Sequence, residues 1–478
     1  MNKPIRRVAL VAMLMFALLL ANGTYMMLFR QQSLAAEPQN RRVRDAEFAQ
    51  DRGSILAAGK TEIATTKPVK DRYKFQRTYP EGSLYTPITG YYSYDHARSA
   101  LESSHNAELA GTDDSLFVRR LIDRVTSKTP EGASVQTTIV PKIQRAATRA
   151  LGNNKGAVVA LDPQTGAVLA MVTSPTYDAN DIASHDIGEA DAAYQRLAKR
   201  PDRPMANRAV REIYPPGSTF KVVTAAAALA AGKTPEGKLN APAKLRLPNT
   251  NTFLTNDVNC GGTKITLTQA LKRSCNTAFA GLGISLGDEA LRSQADKFGF
   301  DQRHLDDLSG VASRFPDKLD GAQLGLSSIG QYDVAASPLQ MAMVSAAVAN
   351  GGVLMDPYVV SMVQSADLKP LSSHKPTQLS VAMTPANADA LKEMMVETVA
   401  SGTGRRAQVS GVDVGGKTGT AQSDPKRKPF AWFTSFAPAQ NPQIALAVVV
   451  EDADIPRNDI AGGKVAAPIA KAVMEAAL

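Results

Sequence analysis

The stretch from Tyr214 to Gly232, YPPGSTFKVVTAAAALAAG, admits one local fold. Pro215, Pro216 and Gly217 forbid a helix, and the alanine-rich run behind them, almost free of breakers, demands one. Ser218 therefore falls at a helix start, with Lys221 one turn later on the same face, where its amine can lie beside the hydroxyl. A serine hydroxyl becomes a useful nucleophile only when a neighbouring base takes its proton. Lys221 can be that base only when neutral, and partial burial and the positive end of a helix dipole both push its pKa down. The competing reading, an N-cap serine next to a solvated lysine, satisfies the same residues. Ser372/Lys375 and Ser423/Lys426 repeat the S-x-x-K spacing, but Pro376 follows the first and Pro425 sits inside the second. Neither of those pairs opens a helix.

A chain of 478 residues has room for two or three domains, and 44% hydrophobic with 21% charged residues is ordinary globular composition. The first element departs from it. Val8 to Phe29 carries no charge and is long enough to cross a bilayer as a helix. Lys3, Arg6 and Arg7 precede it, so the short N-terminus is expected in the cytoplasm and the rest outside. A cleaved signal peptide is the rival. The apolar run is longer than a usual signal core, and the nearest small-residue site, Ala35-Ala36, lies beyond Arg30, so an uncleaved single-pass membrane anchor fits better. The net charge of +9 suits an anionic partner such as a membrane face or an acidic wall polymer. Nucleic acid is disfavoured, because Lys and Arg are scattered and aromatics make up only 6%. Cys260 and Cys275, closely spaced in an oxidising compartment, fit either a disulfide or two buried thiols.

Along the chain, residues 31–44 are polar and basic and read as a linker. Residues 45–151 form a mixed segment with no catalytic constellation. In it RGSIL reads as a turn into a strand, Thr89 to Thr112 as a turn and a helix, and Ser104-His105-Asn106 as ordinary helix surface. GAVVALD, PQTG and AVLAMVTSP, from Gly156 to Pro175, make a hairpin. Helices are expected over Thr268–Leu286, Ala290–Phe298 and Ser337–Asn350, then strands over Val412–Gln422, Phe430–Phe436 and Gln443–Val450, then a helix over Lys464–Ala477. Strands at both ends with helices between predict an α+β sandwich: one sheet assembled from distant segments and flanked by helices.

Two further pieces carry chemistry. GGKTGTAQ, from Gly415 to Gln422, overlaps a formal P-loop pattern from Gly411 to Thr418. A P-loop requires a helix behind it, and the SDPKRKP that follows allows none. As a strand, the segment can line a groove: Lys417 supplies positive charge, Thr418 and Thr420 grip a carboxylate, and backbone N–H groups near Thr420 are left for an oxyanion. In KRSCNTAF, Ser274 can relay a proton and Asn276 can hold an amide, although a capped helix turn explains the same residues. The five histidines, His96, His105, His185, His304 and His374, are scattered away from these motifs, which argues against a Ser-His-Asp hydrolase and a His-ligated metal site.

The order S-x-x-K, S-x-N 56 positions later and K-T-G near the C-terminus resembles the penicillin-binding proteins. RGSI, NRAVREIYPPGSTFK, TLTQALKRSCNTAFA, IGQYDVAASPLQMA, GTGRRAQ and GGKTGTAQ are similar to class B members, and overall length and the anchor point to their actinobacterial A-type branch. RGSILAAGK departs from the usual RGxIxDRNG of the first motif. The resemblance implies a penicillin-binding transpeptidase fold over 152–478 behind a small non-catalytic, pedestal- or dimerisation-like domain over 45–151, with a cytoplasmic stub and anchor over 1–30.

It implies that Ser218 attacks the bond between two terminal D-alanines of a peptidoglycan stem peptide, with Lys221 as base. Ser274 and Lys417 would carry the proton to the leaving D-alanine, and the backbone N–H groups of Ser218 and Thr420 would form the oxyanion hole. Asn276, Thr418, Gly419 and Thr420 would hold the donor peptide. An acceptor amine from a second stem would complete the cross-link, beta-lactams would acylate Ser218, and no metal or organic cofactor is needed. A SEDS-type glycosyltransferase is the implied membrane partner. The rivals are a D,D-carboxypeptidase or beta-lactamase, with water as acceptor, and a non-enzymatic sensor or scaffold, for which only about seven residues precede the span.

Overall fold

The computed structural model describes residues 3–30, 41–113, 131–367, 369–422 and 427–478. The Ser423/Lys426 pair and residues 31–40 of the expected linker lie outside them. Its centre is a five-stranded antiparallel sheet of β1 (Lys155–Leu161), β2 (Val168–Ser174), β3 (Gly415–Ala421), β4 (Phe430–Ala437) and β5 (Ile444–Asp452), in the order β3-β4-β5-β1-β2. These strands read as continuous apolar runs because both faces of the sheet are covered. Val159, Leu161, Trp432, Phe436, Ala447 and Val449 pack into one core. The alternate residues Val158, Ala160, Phe433, Leu446, Val448 and Val450 pack into the other. The hairpin, the three C-terminal strands and the flanking helices match the expected sandwich.

Pro141–Leu151 and the C-terminal helix share the second core through Ile143, Ala147, Leu151, Ala466, Ala470 and Val473. The first core receives the helices of the central segment: α1 (Lys221–Ala230), α2 (Leu267–Arg273), α3 (Asn276–Leu286) and α4 (Pro338–Ala349). Every residue of α4 is buried, and its Ser345 hydroxyl is spent on Thr434 of β4. A further helix covers Asp288–Lys297, and the chain closes with α5 (Gly462–Ala477). The single helix expected over Thr268–Leu286 is two. Ser274 adopts φ +60° and ψ +40° and ends α2 with bonds from its own N–H to Leu271 O and from Cys275 N–H to Ala270 O. That is the Schellman ending, which glycine usually occupies.

A second sheet runs in the order Pro370–Ser373, Val360–Gln364, Ser134–Thr137, Ile55–Ala57, Thr61–Pro68, Phe75–Thr78. A hairpin from beyond α4 thus completes a sheet begun near residue 55, and Ser372 of the discarded Ser372/Lys375 pair lies in that hairpin. Beneath it Glu102, fully buried, accepts from Arg52 Nε at 2.7 Å, Arg77 Nε at 2.6 Å and the Tyr79 hydroxyl at 3.1 Å. Burial alone would raise the Glu102 pKa, but the guanidiniums of Arg77 and Arg52 hold it below the usual carboxylate value. His105 is not helix surface. Its side chain is 14% exposed and its ring lies 3.3 Å from Glu108 and 3.3 Å from Asp307, tying the segment before residue 113 to the loop at 306–308. Lys3–Tyr25 is helical and continues as a wider turn over Met26–Arg30, with no residue buried, so its apolar side chains lack any protein cover.

Candidate active site

The prolines and Gly217 before α1 produce a single 3₁₀ turn, Gly217–Phe220, before the α-helix begins at Lys221. Gly217 takes φ +53°, and its N–H bonds to Gly330 O at 2.9 Å. Gly330, at φ +72°, comes so close that a Cβ there would overlap the backbone of Gly217. The one tryptophan, Trp432 of β4, donates from Nε1 to Pro215 O at 3.0 Å, and Thr219 donates to Pro216 O at 2.7 Å. The nucleophile turn is therefore clamped from the sheet side and from the 327–331 turn. Ser218 sits on it half-buried, while its neighbours Gly217, Thr219 and Phe220 are buried.

Lys221 and Lys417 are both fully buried, from α1 and β3 respectively, and both aim at Ser274. Lys221 Nζ lies 2.8 Å from Ser274 O, 2.7 Å from Asn276 Oδ1 and 3.3 Å from Ser274 Oγ. Lys417 Nζ donates to Ser274 Oγ at 2.9 Å and to Thr418 O at 2.8 Å. The hydrogen bonds of the Lys221 amine thus go to Ser274 and Asn276, not to the Ser218 hydroxyl beside which the helix spacing placed it. Burial, then repulsion from Lys417, pushes the Lys221 pKa well below that of a free lysine, against an upward pull from Asp257. Burial lowers Lys417 to about 7. A neutral amine has two N–H donors and one lone pair. The two short contacts of Lys221 use the donors, and the third lets Ser274 O–H donate to the lone pair while Ser274 Oγ accepts from Lys417. The cluster can hold and pass one proton without leaving any polar atom unpaired.

β3 is the edge strand, so one row of its backbone groups is free of the sheet. Lys417 faces Ser274 and Gly419 faces the nucleophile turn, where a Cβ would come 2.8 Å from Pro216 O, whereas Thr418 Oγ1 meets Thr403 Oγ1 at 2.7 Å and Thr420 Oγ1 accepts from Gly462 N at 3.3 Å. A Cβ on Gly217 would come 2.9 Å from Thr420 O, so the backbones of the nucleophile turn and of Thr420 are neighbours. Asn276 is buried with its amide engaged at both ends: Oδ1 on Lys221, Nδ2 on Thr255 O at 3.2 Å and on Asp257 at 3.1 Å. Cys260 and Cys275 are joined as a disulfide.

The structure thus gathers Ser218, Lys221, Ser274, Asn276, Lys417 and the backbone of Thr420 around one cleft. Thr403, Asp257 and Trp432 belong to the same neighbourhood and escaped sequence reasoning. Trp432, alone of its kind in an apolar strand, and Thr403, inside the GTGRRAQ segment, carried a signal; Asp257 did not. Segment 411–418 is turn and strand and runs on as strand to Ala421, with no helix at a phosphate position.

A serine on a clamped helix start, two buried amines with lowered proton affinity and a strand edge beside them define an acyl-serine transferase of the penicillin-interacting type. Residues 156–475 match the family described as penicillin binding protein transpeptidase domain, and residues 52–135 the penicillin binding protein A dimerisation domain. The chain belongs to this transpeptidase family. It is 42% identical over 490 residues, 100% of this chain and 99% of the other, to the peptidoglycan D,D-transpeptidase PbpA of Mycolicibacterium smegmatis. The ceftriaxone acyl-enzyme structure of penicillin-binding protein A from M. tuberculosis is 42% identical with a TM-score of 0.88, covering 91% of this chain and 100% of that one. The penicillin G acyl-enzyme of that protein is 43% identical with a TM-score of 0.86, covering 90% of this chain and 99% of that one.

Proposed function

We infer that this chain is a penicillin-sensitive peptidoglycan D,D-transpeptidase that works through an acyl-serine at Ser218. The observation that carries the reading is the meeting of two buried amines, Lys221 and Lys417, on the one Ser274 hydroxyl beside the Ser218 turn. Ser218 Oγ attacks the carbonyl carbon between the two D-alanines while its proton passes to the neutral Lys221 amine. The negative charge that develops on the carbonyl oxygen is met by the N–H groups of Ser218 and Thr420, each worth about 3 kcal/mol of barrier. Collapse breaks the C–N bond, the leaving D-alanine takes a proton from Ser274, and the Lys221 ammonium returns its proton to Ser274 while Lys417 holds Ser274 Oγ with a hydrogen bond. The amine of a second stem then attacks the ester, its proton returns to Ser218, and the cross-link is made.

The donor peptide lies along the free edge of β3, its terminal carboxylate on Thr418 and Thr420, and its amide on Asn276, which must exchange part of its resting bonding to do so. The Lys3–Arg30 helix crosses the membrane once, and the rest of the chain lies outside the cytoplasm. Its uncovered apolar surface supports that placement. A SEDS-type glycosyltransferase is proposed as the partner there, on family resemblance. Incubation with a donor strand and a labelled amine tests the reaction: labelled dimer is expected, and free D-alanine with no dimer would make the enzyme a carboxypeptidase.

A further inference from the structure

Asp257 has no part in the reaction as proposed, yet the fold is built to hold it at the catalytic amine. It lies in the polar turn after the strand Phe253–Thr255, and three successive links fasten that turn to the start of α3. Asn256 accepts from Thr277 N at 3.0 Å and donates to Thr277 Oγ1 at 2.9 Å. Asp257 Oδ2 accepts from Asn276 Nδ2 at 3.1 Å. Cys260 is covalently bonded to Cys275. The turn thus lies along Cys275, Asn276 and Thr277, with the exposed carboxylate fixed against the middle residue.

We propose that Asp257 is a positioning residue for Lys221, acting through Asn276. An amide side chain has an acceptor end and a donor end, and only one orientation serves its neighbours here. A carboxylate and the Thr255 carbonyl on one side both demand the NH₂ group, so the carbonyl oxygen must face Lys221. That oxygen takes one of the two N–H bonds a neutral lysine offers, Ser274 O takes the other, and the lone pair is left toward the Ser274 hydroxyl. The carboxylate also acts through space. The charged groups that bear on Lys221 are Lys417 from β3, which disfavours its protonation, and Asp257, which favours it; the Phe279 ring lies 5.7 Å from Nζ. Asp257 thereby keeps the base from losing all its affinity for the proton it has to accept, which a strongly desolvated lysine beside a second lysine otherwise would.

The inference rests on the acyl-serine reading, and one experiment separates the two. The rate constant of acylation by a fluorescent penicillin is followed from about pH 5 to about pH 9 for wild type, Asp257→Asn and Asp257→Glu, with intact mass confirming the adduct. Loss of the negative charge, and the freedom it gives the Asn276 amide to turn its NH₂ toward Lys221, both favour the neutral amine. The acid limb of the Asp257→Asn profile is therefore expected at lower pH than that of wild type, with Asp257→Glu returning toward the wild-type limb. A residue that merely supports the turn would lower the rate equally at every pH. Coincident limbs in variants that acylate, or a limb moved to higher pH, overturn the role of Asp257 and leave the acyl-serine intact. Absence of any wild-type adduct overturns the acyl-serine itself. Should Asp257→Asn fail to fold, the Asp257→Ala and Asp257→Glu profiles carry the same comparison.

Discussion

His105 couples the N-terminal segment to the catalytic region through a charge that pH can remove. Burial alone would lower its pKa, but Asp307 and Glu108 outweigh that and raise it from 6.5 to about 9. A raised histidine contributes stability that is complete below its unfolded pKa and is lost as pH climbs through the folded value. The window is therefore from about 6.5 to about 9. That rise corresponds to about 3 kcal/mol as a ceiling, and screening at the partly exposed carboxylates reduces it to about 1–3 kcal/mol. For the about 420 described residues beyond the N-terminal helix, unfolding entropy near 2 cal/mol/K per residue makes that about 1–3 °C in Tm. The assay is thermal unfolding of the detergent-solubilised chain, wild type against His105→Gln, at about pH 6 and about pH 9.5. Wild type is expected to lead at the lower pH and the lead to shrink by about 1–3 °C at the higher one. A gap that is the same at both pH values would refute the ion-pair reasoning, whatever its size.

Other substitutions separate stability from chemistry. Ser274→Gly relieves the left-handed backbone of a non-glycine residue by about 1 kcal/mol but takes from the buried Lys417 and Lys221 amines the hydroxyl they share, so no net gain in stability is expected, while acylation slows by about 10²-fold or more, read by thermal melts and penicillin labelling. Lys417→Met removes a buried amine whose pKa is pushed down to about 7. Because the unfolded lysine binds a proton that the folded one releases, the stability cost of that burial is complete at pH 7 and fades toward about pH 10. The variant should therefore melt higher than wild type at pH 7, gain less near pH 10, and lose acylation. Gly330→Ala places a methyl group on the backbone of Gly217 and strains its own φ, so destabilisation of about 2 kcal/mol or more and loss of penicillin labelling are expected.

What the sequence made legible was local. The Pro-Pro-Gly stop before an alanine-rich helix, the hairpin at 156–175 and the strand through Lys417 each follow from neighbours within about ten residues, and each stands in the structure. The break at Ser274 was not legible, because helix-forming residues flank it on both sides and nothing local requires a serine in the left-handed region. The join of Val360–Gln364 to Ser134–Thr137 depends on pairing across more than two hundred residues. Asp257 is an acid in a polar turn with no periodicity, and only the folded position of Asn276 makes it significant. His105 looked like helix surface because its partner Asp307 lies far along the chain.

Intact-mass measurement after penicillin treatment, on wild type and Ser218→Ala, tests the nucleophile most directly. One penicilloyl adduct on the wild type, mapped to the peptide that contains Ser218, and none on the variant is the predicted result. An adduct of equal yield on Ser218→Ala would place the nucleophile elsewhere and contradict the account.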